Sequence, residues 1–188
     1  MVILKLGDKD TKKLTVVSII NKKAEPLYLP GMKAATIHEI KQELNNIPPS
    51  TLAELCLRLA KFKKDNKELL TYLLFESSDL SGYIENVKKE IDEEFKELPK
   101  PNLYLTKKSL RKILRITAKQ IRYTGSPQAE VELLTYFCSR IKESGIPIQN
   151  SPVLTNLYQQ QLKKIQGVID TMHEDLQYDY LKGLKALK

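Results

Sequence analysis

Tryptophan is absent from this chain of 188 residues, and cysteine and histidine occur only twice each. Cys56 and Cys138 each sit in an apolar helical pattern, with no second cysteine or histidine at ligand spacing. That excludes a disulfide framework and a thiolate metal centre, and predicts buried, reduced thiols in a reducing compartment. Of the histidines, His38 is preceded at position 35 by Ala35, whereas Asp170-x-x-His173 has the i, i+3 spacing that can bring a carboxylate and an imidazole to one metal. A di-iron type of site needs a second such pair, so His173 reads as an exposed polar residue and no metal or other cofactor is expected.

The seven glycines are scattered, and neither GxxxxGK, GxGxxG nor GxSxG occurs. A phosphate-cradling loop and a nucleophile elbow are therefore missing. Long apolar runs are missing too. The longest, Leu69 to Phe75, is interrupted by Thr71 and Tyr72 and cannot span a bilayer. VILKL at the N-terminus is too short for the apolar core of a signal peptide, and GDKDTKK follows it at once. A cytoplasmic protein without a membrane partner is the expectation.

One further absence turns into a presence. No acidic residue lies between Glu97 and Glu130, and in that gap stands TKKSLRKILRITAKQIRYT, residues 106–124. On a helix of about 3.6 residues per turn, Lys108, Arg111, Lys112, Arg115, Lys119 and Arg122 fall within an arc of about 100°. Lys107 adds a seventh cation. Leu110, Ile113, Leu114, Thr117, Ala118 and Ile121 fill the roughly opposite face, with Ala118 at its border with the basic arc. Thr106 is the expected N-cap, and Gly125-Ser126-Pro127 the stop. Such a ridge can lie along a phosphate backbone, with Tyr104 and Tyr123 flanking it as stacking groups. It can equally be a solvated face, or be neutralised by ENVKKEIDEEFKE, residues 85–97, which carries six acids against three lysines. Glu90, Glu93, Glu94 and Glu97 share a helix face there, but acid–base work needs a perturbed pKa in a cleft. Surface is the better reading.

The net charge of +8 leans towards anionic partners, and 41% hydrophobic with 29% charged residues is ordinary for a soluble globular chain. Residues 1–31 read apart from the rest. VILKL and KLTVVSII suit a small hairpin, followed by the loop KKAEPLYLPG. The helical pattern begins just after Met32, so residues 1–31 are either an extension before a start at Met32 or a hairpin or arm.

From residue 32 to 188 a single all-α domain is predicted, a short HEAT-like array or a multi-helix bundle. TIHEIKQEL, residues 36–44, places Ile37, Ile40 and Leu44 on one face. Pro48-Pro49-Ser50 opens a second helix with the stripe Leu52, Leu55, Leu59 and Phe62. A break at 63–66 leads to ELLTYLLF, residues 68–75, apolar on most sides and so expected at the centre. Helices follow at 81–98, 106–124 and from Ser126-Pro127 to about Ile141. The last long segment starts at Pro152, with Gly167 as a weak point and an amphipathic tail that can dock.

The run PSTLAELCLRLAKFKKDNKELLTYLLFE resembles a group of uncharacterised small all-helical bacterial proteins over about residues 36–76. The resemblance implies an all-helical fold and brings no functional residue with it. Within the chain, ELLTY occurs at Glu68 to Tyr72 and again at Glu132 to Tyr136. Leu52-x-x-Leu55-x-x-x-x-Ala60-Lys61 precedes the first copy, and Leu110-x-x-Ile113-x-x-x-x-Ala118-Lys119 precedes the second at the same internal spacing. These matches suggest two three-helix repeats, at about residues 50–98 and 106–175, which would stack to bury their apolar faces.

The function expected is a non-enzymatic protein-interaction module holding a partner helix or peptide between its helices. The alternative is a nucleic-acid binder that sets Lys108, Arg111, Lys112, Arg115, Lys119 and Arg122 on phosphates.

Overall fold

The computed structural model describes residues 34–99 and 102–187; the readings made for residues 1–31 lie outside them. Among the described residues there are eight α-helices and no strand, so the chain is all-α as the periodicity predicts. They run α1 (Ile37–Asn45), α2 (Pro49–Phe62), α3 (Lys64–Thr71), a π-turn (Tyr72–Glu76), α4 (Leu80–Lys96), α5 (Leu103–Thr124), α6 (Pro127–Glu143), a 3-10 turn (Ile148–Asn150), α7 (Pro152–Ile169) and α8 (Glu174–Leu187). Contacts divide the described residues after Leu52 into two units, each taken by itself below.

In the first unit α1 opens on a capping box: the Thr36 hydroxyl accepts from the Glu39 N–H at 3.3 Å while Glu39 Oε2 accepts from the Thr36 N–H at 2.7 Å. Its apolar positions Ile37, Ile40 and Leu44 are exposed.

The second unit is built around α6, which packs against α4, α5, α7 and α8. Its Ala129, Leu133, Leu134, Phe137 and Cys138 are wholly buried. A helix contacted on several sides needs apolar residues round much of its circumference, and this one has them. Ile84, Val87, Ile91 and Phe95 of α4, Leu110 and Ile113 of α5, and Leu154, Ile165 and Ile169 of α7 complete one continuous core. Phe95 meets Phe137 edge to face, with ring centroids 5.9 Å apart.

The helix ends explain the tight connections. Ser126 caps α6 through its hydroxyl and Pro127 fills the first turn, where a missing N–H costs nothing. Between α5 and α6 the chain reverses at Gly125, whose φ of 58° lies in the left-handed region that favours glycine. The tail docks: Leu184 and Leu187 are buried, and the α8 carbonyls of Ala186 and Leu187 accept from Lys142 Nζ and the Tyr158 hydroxyl, both at 2.9 Å. Gly167 does not interrupt α7, which runs on to Ile169.

Three boundary readings change. The basic helix starts three residues before Thr106, because Asn102 is its cap and accepts from the Tyr104 and Leu105 N–H groups at 3.0 and 3.1 Å. Thr106 is instead wholly buried and donates to the Pro99 carbonyl at 2.9 Å. The break before ELLTY shrinks to Lys63 alone, since α3 starts at Lys64. And ELLTYLLF is not central: only Tyr72 of it is buried, while Leu73, Leu74 and Phe75 stand exposed where the chain relaxes into the π-turn. A π-turn rotates the following side chains off the α-helical register, so the apolar face no longer points one way.

Candidate functional site

Two surfaces of the second unit hold the chemistry that the sequence singled out. The first is the basic side of α5. Its apolar stripe is buried, which forces the opposite arc of Lys108, Arg111, Lys112, Arg115 and Arg122 to the outside, with Lys119 half-buried. The arc is split down its length. Along one edge the cations are matched by acids from other helices. Lys112 Nζ donates to both carboxylate oxygens of Glu94 at 2.9 Å, and Lys119 Nζ donates to Glu68 Oε2 at 2.6 Å with Asp65 Oδ1 at 3.9 Å. Those same acids face Lys63 and Lys64, at 3.7 Å from Asp65 and 3.5 Å from Glu68. Along the other edge Lys107 and Lys108 lie over the Tyr104 ring, 5.2 and 4.8 Å from its centroid. Arg111, Arg115 and Arg122 are exposed and have no acidic partner among the described residues.

Glu68 is the hub of the matched edge. It also accepts from the Tyr123 hydroxyl at 2.9 Å. The Lys119 hydrogen bond, with help from Tyr123 and the Lys64 charge, holds its carboxyl below the ordinary value against the opposing effect of burial. Burial and the adjacent Glu68 push the Tyr123 phenol up, so it stays a donor throughout the physiological range. A carboxyl whose folded pKa is depressed adds stability above its unfolded pKa, and that stability is lost as pH falls through the folded value. Glu68→Gln is therefore expected to flatten the acid limb of the stability curve as pH falls below the ordinary carboxylate value of about 4.3, relative to the parent chain. Urea unfolding at several pH values reads this. Parallel curves for the two proteins would refute the role given to Glu68.

The second surface is α2. Its Leu55, Leu59 and Phe62 recur at the spacing of a coiled-coil seam, yet Phe62 is 85% and Leu59 59% exposed, and no residue of this helix is buried. Asn66 fixes its exit by donating to the Leu59 carbonyl at 3.0 Å. Around it Arg58, Lys61, Lys63, Lys64 and Lys67 are all exposed; Lys63 and Lys64 face Asp65 and Glu68, and α2 itself carries the single acid Glu54. The sequence stripe is real, but what would cover it is not among the described residues.

The remaining readings resolve individually. Glu93 pairs with Lys96 at 2.6 Å, Glu94 with Lys112, and Glu90 and Glu97 are exposed. Glu90, Glu93 and Glu94 rim an open cleft of about 310 Å³ between α4 and α5, whose floor is Val87, Ile91 and Ile113. The acids of that rim face no histidine, cysteine or hydroxyl nucleophile, Thr117 excepted, and the Thr117 hydroxyl is committed to the Ile113 carbonyl at 3.0 Å. His173 is exposed and lies 3.3 Å from Asp175, not beside Asp170. Among the described residues no group of three histidine, cysteine or acidic side chains could hold a metal. Cys138 is buried, as expected, while Cys56 is only half-buried.

Two features escaped the sequence. Asp92 accepts from the Tyr136 hydroxyl at 2.7 Å and has Arg140 Nε at 2.8 Å, a charge contact outside hydrogen-bond geometry. Burial and Asp92 together push the Tyr136 phenol up to about 12. Lys88 and Tyr180 converge on Glu132 in the same way, at 3.6 and 3.2 Å. Such pairs span 44 residues or more and carry no local signal. No helix among the described residues is long and apolar enough to cross a membrane. The chain matches no family model, no curated protein and no solved structure.

Proposed function

We propose that the protein is a non-enzymatic protein-interaction module whose docking element is α2. The observation that carries this reading is the exposed seam Leu55, Leu59 and Phe62 on a helix with no buried residue. Large side chains repeated at seam spacing gain stability only when another helix packs on them, so the occupant is an amphipathic helix of a partner. Charge selects which helix. The rim cations without an acidic partner among the described residues, Arg58, Lys61 and Lys67, favour a partner flanked by acidic residues and repel a basic one. The two ELLTY copies support the stacked-repeat reading of the scaffold. The glutamate of each is held by one lysine and one tyrosine from elsewhere in the fold: Lys119 and Tyr123 for Glu68, Lys88 and Tyr180 for Glu132.

A labelled helical peptide with leucines at seam spacing and glutamate flanks tests the reading. It is expected to bind the parent protein at least tenfold more tightly than the same peptide with lysine flanks. Leu59→Ser with Phe62→Ser should abolish binding without lowering the melting temperature, because both side chains are exposed. Equal affinity for the two peptides, or undiminished binding to the double variant, would sink the proposal. A concentration-dependent dimer in sedimentation that the same variant abolishes would give the seam to a second copy instead.

A further inference from the structure

We infer that the unmatched edge of α5 is a phosphodiester-binding face, separate from the docking seam of α2. Lys108, Arg111, Arg115 and Arg122 fall within about 60° of one another on the helix and span about 21 Å along its axis at 1.5 Å per residue. That length matches about six steps of a nucleic-acid strand at 3.4 Å per step. All four are exposed, and none forms an ion pair among the described residues. Counterion release rewards such cations: a lysine already held by a carboxylate gains little from a phosphate, because its counterion is part of the protein. Lys112 and Lys119 are of that held kind. The sequence counts six cations on the ridge; the fold leaves four to meet a polyanion.

The composition of the face selects among polyanions. Between Lys107 and Lys112 around the helix the only uncharged side chains are Tyr104 and Ala118, so the arc has no aliphatic wedge to enter a lipid surface. Nor does it offer the buried anchor that an acidic protein partner would fill. Arginine donates several N–H groups in a planar fork suited to phosphate oxygens. Tyr104, 58% exposed at the foot of the same arc, presents an aromatic ring to a neighbouring base or sugar. No side chain of this edge is set to read base edges, so the recognition is of backbone charge and not of sequence.

The test is fluorescence anisotropy of the full chain with a mixed-sequence DNA duplex, a single-stranded RNA of equal length, and vesicles one-third anionic lipid as a third arm. Four released counterions give a slope of log K against log salt of about −3.6 on duplex and about −2.8 on single strands. Affinity for duplex then falls on the order of 100-fold between 50 and 200 mM salt. Two duplexes of unrelated sequence should bind within twofold of each other. Arg111→Gln, Arg115→Gln and Arg122→Gln together should bring the slope near −1 on duplex and leave helicity unchanged by circular dichroism. Lys112→Gln with Glu94→Gln removes a matched pair at constant net charge and should leave the slope as it was. No binding at 50 mM salt, binding to vesicles but to neither nucleic acid, or a slope that the triple variant does not change would overturn the inference. So would a slope reduced by the matched-pair variant, since the contact set would then be wrong. The salt series on the parent chain decides independently of whether any variant folds, and of whether α2 binds a helix.

Discussion

Replacing Phe137 with alanine is expected to lower the unfolding free energy by about 3–5 kcal/mol. The side chain is wholly buried at the middle of α6, where it meets Phe95 edge to face and lies beside Leu133, Leu134 and Ile141, all at most 1% exposed. Its loss removes the transfer free energy of the ring and leaves a cavity whose walls belong to different helices. Such walls cannot all close at once, which puts the cost towards the upper end of the range. Urea or thermal unfolding measures it. A loss below about 1 kcal/mol would mean that α6 is not the centre of the core.

The second large effect concerns Cys138. The thiol is wholly buried one residue further along α6, and burial pushes its pKa from 9.0 up to about 12. At pH 8 only about one thiol in 10⁴ would be the reactive thiolate even if reagent could reach it. Alkylation of Cys138 must therefore wait for the helices around α6 to part, and its rate reports that opening. Cys56, half-buried on α2, should react orders of magnitude faster in the native protein. Mass spectrometry of peptides after timed alkylation separates the two. The same experiment on the Phe137→Ala variant should raise the Cys138 rate by about tenfold for each ~1.4 kcal/mol of stability lost while leaving Cys56 unchanged. Comparable rates for both cysteines in the parent chain would contradict the burial described for α6.

These expectations show where sequence reasoning reached and where it stopped. Helical period located α6 because Val131, Leu134, Phe137, Cys138 and Ile141 recur on one face, and Pro127 and Gly145 bracket it. Period also found the stripe of α2, but periodicity reports only that one side of a helix is apolar. It does not report what lies against that side, so Leu59 and Phe62 look like core residues in sequence and are exposed in the fold. The π-turn at Tyr72–Glu76 defeated the reading of ELLTYLLF for a different reason. One extra residue per turn changes the direction of every following side chain, and no residue type announces it.

The basic helix was the most legible feature, and half of its meaning was hidden. Its cations follow from i, i+3 and i, i+4 spacing alone. Whether each is matched depends on carboxylates 18 residues away for Lys112 and 51 away for Lys119. The acidic stretch suggested neutralisation by the whole run of residues 85–97, whereas one residue of it, Glu94, makes the contact, and Glu68 and Asp65 of α3 supply the rest.

The buried cluster of the second unit begins at Tyr72, with nothing from α2 in it. Among the described residues, substitution of Leu59 or Phe62 therefore leaves the buried cluster untouched. With α2 as the docking element proposed above, a lineage could exchange its partner one residue at a time while the rest of the molecule stayed folded. Specificity and stability would then be separate traits, carried by separate helices.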